Sequence, residues 1–258
     1  MEEKTSFWSR ITFSDIVDWT LIPILMIGVV ISVYIWLLLP IEPGSMEANI
    51  IGDPVSGFSN VWASVLQHLK LIGISSVLAI LAAVPAGILI TREGFRDFAD
   101  IILGVANFGQ SVPSIAILAL FMGIMGIGAP TAIFALWLYA LLPIVRNTAT
   151  GIDEVSTDVI EAARGMGLTN RQILFDIELP LSFPVMFAGI RTASVINVGT
   201  AALGAFIGAG GLGNFIITGI PLSRERMILI GAILTAVMAV LVDWILGKIE
   251  DRLVFRRE

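Results

Sequence analysis

The chain has no cysteine, one histidine and two tyrosines, and only 14% of its 258 residues are charged. Without cysteine there is no disulfide, no thiolate metal site and no cysteine nucleophile. The lone His68 has no second histidine or carboxylate at helical spacing, which favours an interfacial side chain over a metal ligand or an acid–base group. No G-x-x-x-x-G-K-[ST] run occurs, so the chain cannot cradle nucleotide phosphates itself. A net charge of −6 and a pI near 4.8, with no basic stripe, exclude a nucleic-acid partner. No cluster of His, Asp and Glu falls inside an apolar block, which argues against a membrane-bound enzyme.

What is abundant is apolar sequence. Hydrophobic residues make up 57% of the chain, and the mean hydropathy is +0.94, well above the roughly 45–50% apolar content of a soluble domain. The blocks are continuous and do not alternate, so they predict membrane helices and not a barrel. Six are expected to cross: Leu21–Leu39, Leu71–Ile90, Ile101–Met125, Thr131–Val145, Val185–Ile207 and Met227–Leu246. Leu21–Leu39 is long for a leader and lacks a small-residue cleavage pattern, so it is read as a retained span. Pro113 interrupts the third block, which is either an interfacial helix leading into a shorter span or one kinked helix. Ala83-x-x-x-Gly87 and Gly204-x-x-x-Gly208 have the small-residue spacing that permits close helix approach.

Basic residues fix the expected orientation. Lys4, Arg10, Arg92, Arg96, Arg146, Arg164, Arg171, Lys248, Arg252, Arg256 and Arg257 fall on one side of a six-span arrangement, against Arg224 and Arg226 on the other. Both termini are therefore expected in the cytoplasm. Lys70 and Arg191 lie near span ends, where snorkelling accounts for them. Gln110, Asn147, Asn197 and Thr200 are polar residues in or near spans, candidates for lining a pathway or for bonding across helices.

The segment Arg146–Phe183 is long for a loop in a compact bundle. Asp158-x-x-Glu161 reads as the start of one short helix, broken by Gly165 and Gly167. Thr169-x-x-Gln172 reads as the capping box of a second, stopped by Pro180. On the residues alone, this hairpin fits a docking element for another protein or an amphipathic loop resting on the membrane surface.

A resemblance decides between them. Glu161-Ala162-Ala163, then Gly167, then Ile177-x-Leu179-Pro180 match EAA-x3-G-x9-I-x-LP at every specified position, and the segment resembles the EAA loop of ABC importer permeases. The stretches Val112–Ala119, Leu138–Thr148 and Gly199–Gly213 resemble permeases of glycine betaine, carnitine and choline importers, over about Val61 to Leu246. The resemblance implies an all-α integral membrane protein, a type I importer bundle of about six transmembrane helices, multi-pass in a bacterial cytoplasmic membrane. Its domains would be 1–60 (tail, extra helix and acidic outer loop), 61–247 (permease core) and 248–258 (basic tail).

By the same resemblance Glu161, Ala162, Ala163, Gly165 and Gly167 would meet a cytoplasmic ATP-binding subunit, with Ile177, Leu179 and Pro180 anchoring the loop. The partner would use ATP and Mg, this chain binding no cofactor and holding no catalytic or metal site. An extracytoplasmic solute-binding protein and a second permease, copy or paralogue, complete the expected assembly. Gly208, Gly210, Gly211 and Gly213 are candidates for a gate or hinge, or for a simple helix terminus. The alternatives are a permease for methionine or another small nutrient, and an ATP-independent secondary transporter. The latter predicts carboxylates within spans, of which Asp243 is the one candidate.

Overall fold

The computed structural model describes residues 13–33, 35–36, 41–42, 44–51 and 59–254, and all regular elements among them are helical. In chain order these are α1 (Phe13–Val33), α2 (Met46–Ile51), α3 (Ser59–Ile90), α4 (Ala99–Ser111), α5 (Ser114–Met125), α6 (Ala129–Asp153), α7 (Thr157–Gly165), α8 (Asn170–Gln172), α9 (Leu179–Ala201), α10 (Gly213–Gly219) and α11 (Glu225–Val254). A 3-10 turn at Glu93–Phe98 precedes α4. A π-helical stretch at Ile173–Glu178 joins α8 to α9, and a 3-10 stretch at Ala202–Ile207 prolongs α9.

Four unbroken helical runs are long and apolar enough to cross a membrane: α3, α6, Asn170–Ile207 and α11. The third expected block is a broken pair, bent by 105° between Glu93–Ser111 and α5, and makes a fifth crossing when taken as one span. Pro113 supplies the break. Tyr139 Oη donates to Val112 O, and Gln110 Nε2 donates to Tyr139 O at 3.2 Å, so α6 holds the elbow. The first expected block, Leu21–Leu39, is helical over Leu21–Val33, a short apolar run for a crossing by itself, and part of 34–39 lies outside the described residues.

The helix α6 is the hub, packed against α3, α4, α5 and α9. Lipid tails are as apolar as leucine, so helices associate in a membrane by close packing. A methyl at Gly87 of α3 would lie 2.6 Å from Thr148 Cβ, one at Gly109 of α4 2.4 Å from Leu138 O, and one at Gly189 of α9 2.5 Å from Asn147 Cβ. Three helices thus touch α6 nearly backbone to backbone. Gly87 provides the close approach expected of it, and Ala83, one turn before it, is buried. Of Gly204-x-x-x-Gly208, Gly204 packs closely on α6, a methyl there lying 3.3 Å from Ala132 Cβ, whereas Gly208 is in the left-handed conformation that ends the helix.

Candidate coupling hairpin and glycine gate

The hairpin between α6 and α9 is built from two capped turns. Helix α7 starts after Ser156, which makes no side-chain cap bond, so Asp158 is not the expected cap but a first-turn acid. Gly165 remains helical. Gly167 ends the helix at φ +85°, with Gly167 N bonding Arg164 O and Leu168 N bonding Ala163 O; this Schellman closure requires a residue that tolerates positive φ. The capping box of the second helix forms as read: Gln172 N donates to Thr169 Oγ1, and Thr169 N donates to Gln172 Oε1 at 2.9 Å.

Pro180 does not stop the second helix. Asn170–Ile207 runs as one helix of 38 residues, because the turns before Pro180 are π-helical and Leu179 N bonds Leu174 O, five residues back. The widened turn accommodates the ring where an i−4 ladder would clash with it.

Glu161, Ala162, Gly165 and Gly167 are exposed at the tip, with Val159 and Met166 beside them. Ala163, expected to join that surface, is fully buried and supports the turn from beneath. Ile177, Leu179 and Pro180 are half-buried at the root. The sequence reading missed Glu178, which is buried and meets Arg92 Nη2, from the segment after α3, at 2.5 Å. Its place as the unspecified residue of I-x-LP hid it.

At the other end of the 38-residue helix lies the glycine-rich loop. Gly208 N bonds Ala205 O and Ala209 N bonds Gly204 O, a second Schellman closure. Gly210 and Gly211 follow at φ +83° and +82°. Gln67 Nε2 donates to Ala209 O at 3.0 Å, and Gly211 N donates to Gln67 Oε1 at 3.1 Å. His68, fully buried, accepts from Leu212 N through Nδ1 at 3.3 Å, so its Nε2 carries the hydrogen and donates to Val198 O at 3.0 Å. His68 is thus a core side chain with both nitrogens satisfied. At Gly213 a methyl would fall 1.9 Å from Ala202 O.

The four polar candidates do not converge. Gln110 is spent on the α4–α5 elbow. Asn147 Nδ2 donates to Pro143 O at 2.8 Å, within the α6–α9 contact. Asn197 is fully buried and bonds Ser75 and Ser76 of α3. Thr200 is half-buried beside a small cavity shared with Ser114, Leu136 and Gly204.

Residues 83–255 match the family described as binding-protein-dependent transport system inner membrane component. The chain belongs to that family. Among curated relatives of this permease, the carnitine transport permease protein OpuCB of Listeria monocytogenes is 45% identical over 194 residues, 75% of this chain and 88% of the relative. The choline transport system permease protein OpuBB of Bacillus subtilis is 40% identical, covering 72% and 85%. The osmoprotectant import permease protein OsmY of Salmonella typhimurium is 44% identical, covering 72% and 79%. The permease also shares the fold of a chain of the inward-facing MetNI methionine ABC transporter, with a TM-score of 0.66 at 24% identity over 78% of this chain and 98% of that one. It is an integral membrane protein with the type I importer architecture.

One further site bears on the permease reading. Arg191 of α9 forks onto Asp243 of α11 at 2.6 and 2.7 Å, and its Nη1 lies 3.6 Å from Glu250. Gly247 makes room, since a methyl there would sit 3.1 Å from the guanidinium. Arg191 is therefore clamped between α9 and α11. Asp243 is committed to an arginine, which leaves it a poor ion-coupling carboxylate for a secondary transporter.

Proposed function

We propose that this permease is the membrane subunit of an ATP-driven importer of small quaternary ammonium osmoprotectants such as glycine betaine, carnitine or choline. The identity of 45% with a carnitine permease over 88% of that relative carries the substrate class. The methionine alternative rests on a fold likeness at 24% identity, which carries no substrate.

The hairpin supports the mechanism. Its exposed tip of small and apolar side chains around Glu161 and Ala162 fits a cleft in an ATP-binding subunit. ATP binding by that partner, with Mg, draws two hairpins together, one from this chain and one from a second copy or paralogue. The rigid helix Asn170–Ile207 carries the displacement through the bilayer, and the passage opens towards a solute-binding protein outside. Hydrolysis in the partner reverses the movement. With the first block, Leu21–Leu39, as a sixth crossing, both termini are cytoplasmic, as the basic residues predict.

Uptake of radiolabelled glycine betaine, carnitine, choline and methionine, in cells with and without the chain, tests this. Energy-dependent loss of one or more of the quaternary ammonium compounds is the expected result. Unchanged uptake of all three with loss of methionine transport would transfer the chain to the alternative.

A further inference from the structure

The glycine loop invites description as a hinge, yet its surroundings are those of a fixed part. The Gln67 side-chain amide acts as a neighbouring peptide would, giving a hydrogen bond to Ala209 O and taking one from Gly211 N. The backbone folds directly over that amide: a methyl at Gly210 would be 2.2 Å from Gln67 Cδ, Nε2 and Oε1. His68 adds one bond to the loop, at Leu212 N, and one to α9, at Val198 O. Ala209 and Leu212 are buried almost completely.

The 38-residue helix is tied to α3, and to the segment just after α3, at two further levels. Asn197 bonds Ser75 and Ser76 within the membrane, and Arg92 pairs with Glu178 at the hairpin root. These contacts join α3 and the segment just after it to the 38-residue helix at both ends and between them.

We propose that Gln67 and His68 are positioning residues of transport: they fix the glycine loop to α3, so that α3 and the helix Asn170–Ile207 move as one body and the loop is a rigid gate wall. Displacement of the hairpin then reaches the far side of the membrane without loss. A mobile glycine loop in the same place would absorb it. This inference rests on the transport mechanism proposed above, and concerns the way its movement is conducted.

The test uses the assembled transporter in proteoliposomes, with its binding protein, Mg-ATP and radiolabelled glycine betaine, carnitine and choline. In the native complex, hydrogen exchange of residues 209–214 is expected to be equally slow without nucleotide and in the vanadate-trapped state. Gln67→Ala is expected to speed that exchange at least tenfold and to lower solute moved per ATP several-fold while hydrolysis continues. Gln67→Glu keeps the acceptor for Gly211 N but sets a carboxylate against Ala209 O, and is expected to fall between the two. Exchange that rises on trapping in the native complex would make the loop a hinge and overturn the proposal, and this measurement needs no variant. A proportional fall of hydrolysis and uptake in Gln67→Ala would also overturn it, reducing Gln67 to a fold-stabilising role. A native complex that moves none of the three solutes with ATP would instead strike the functional reading, leaving the exchange comparison to decide the loop.

Discussion

The helix Asn170–Ile207 ends in two glycine-dependent turns that have been finished in opposite ways. At the hairpin, Gly167 lies in open space, Met166 is 73% exposed and Phe175 64%. At the glycine loop, Leu212 is fully buried, Phe215 is 2% exposed, and a methyl on Gly210, Gly211 or Gly213 would strike protein atoms. One end presents unpaired surface and the other has consumed its own. A surface left incomplete by its own chain is where a second protein contributes, whereas a surface completed internally is set before any partner arrives.

Substitutions can break this contrast, the largest effect first. Gly213→Ala should be the most damaging, because the clash is with backbone and cannot be relieved by a rotamer; about 3 kcal/mol of destabilisation is expected, at the upper end for overpacking, read as loss of monodisperse protein in detergent. Arg92→Ala strands the buried Glu178 carboxylate. Because Arg92 is 31% exposed, about 2 kcal/mol is expected, below the range for a fully buried pair. The swap R92E/E178R should recover much of that loss in a thermal-shift series.

Gly167→Ala meets no atom and suffers only from its positive φ, about 1 kcal/mol. Its folding and membrane insertion should stay near native while solute uptake drops, and unchanged uptake would count against the hairpin as the coupling element. Thr169→Ala removes the capping box for about 0.5–1 kcal/mol, with faster hydrogen exchange confined to residues 170–174. If these four effects came out equal, the two ends would not differ in the sense described.

The hairpin was legible because its signals are local. Gly167 marks a left-handed cap and Thr169-x-x-Gln172 a reciprocal one, each within four residues. Pro180 misled because propensity at one residue predicts a stop, whereas a π-helical turn just before it lets the helix continue. Asp158 misled similarly, as an acid that sits two residues past the cap position, Ser156, and so falls inside the first turn.

The remaining features depend on partners far along the chain. Gln67 and His68 meet residues more than 100 positions away, and Arg191 finds Asp243 52 residues on. No periodicity announces such pairs. The span count suffered from the same limit: Pro113 signals a break, but the 105° angle is set by Tyr139 and Gln110 acting through α6.

An uninterrupted helix also preserves angular phase. Each residue turns the helix by about 100°, so a single residue inserted between Leu179 and Asn197 would swing the hairpin a quarter-turn or more out of alignment with the far mouth. Inserting seven, close to two whole turns, would nearly restore the azimuth while lengthening the rod by about 10 Å. Length and direction are therefore separately adjustable in this protein, and its sequence fixes both.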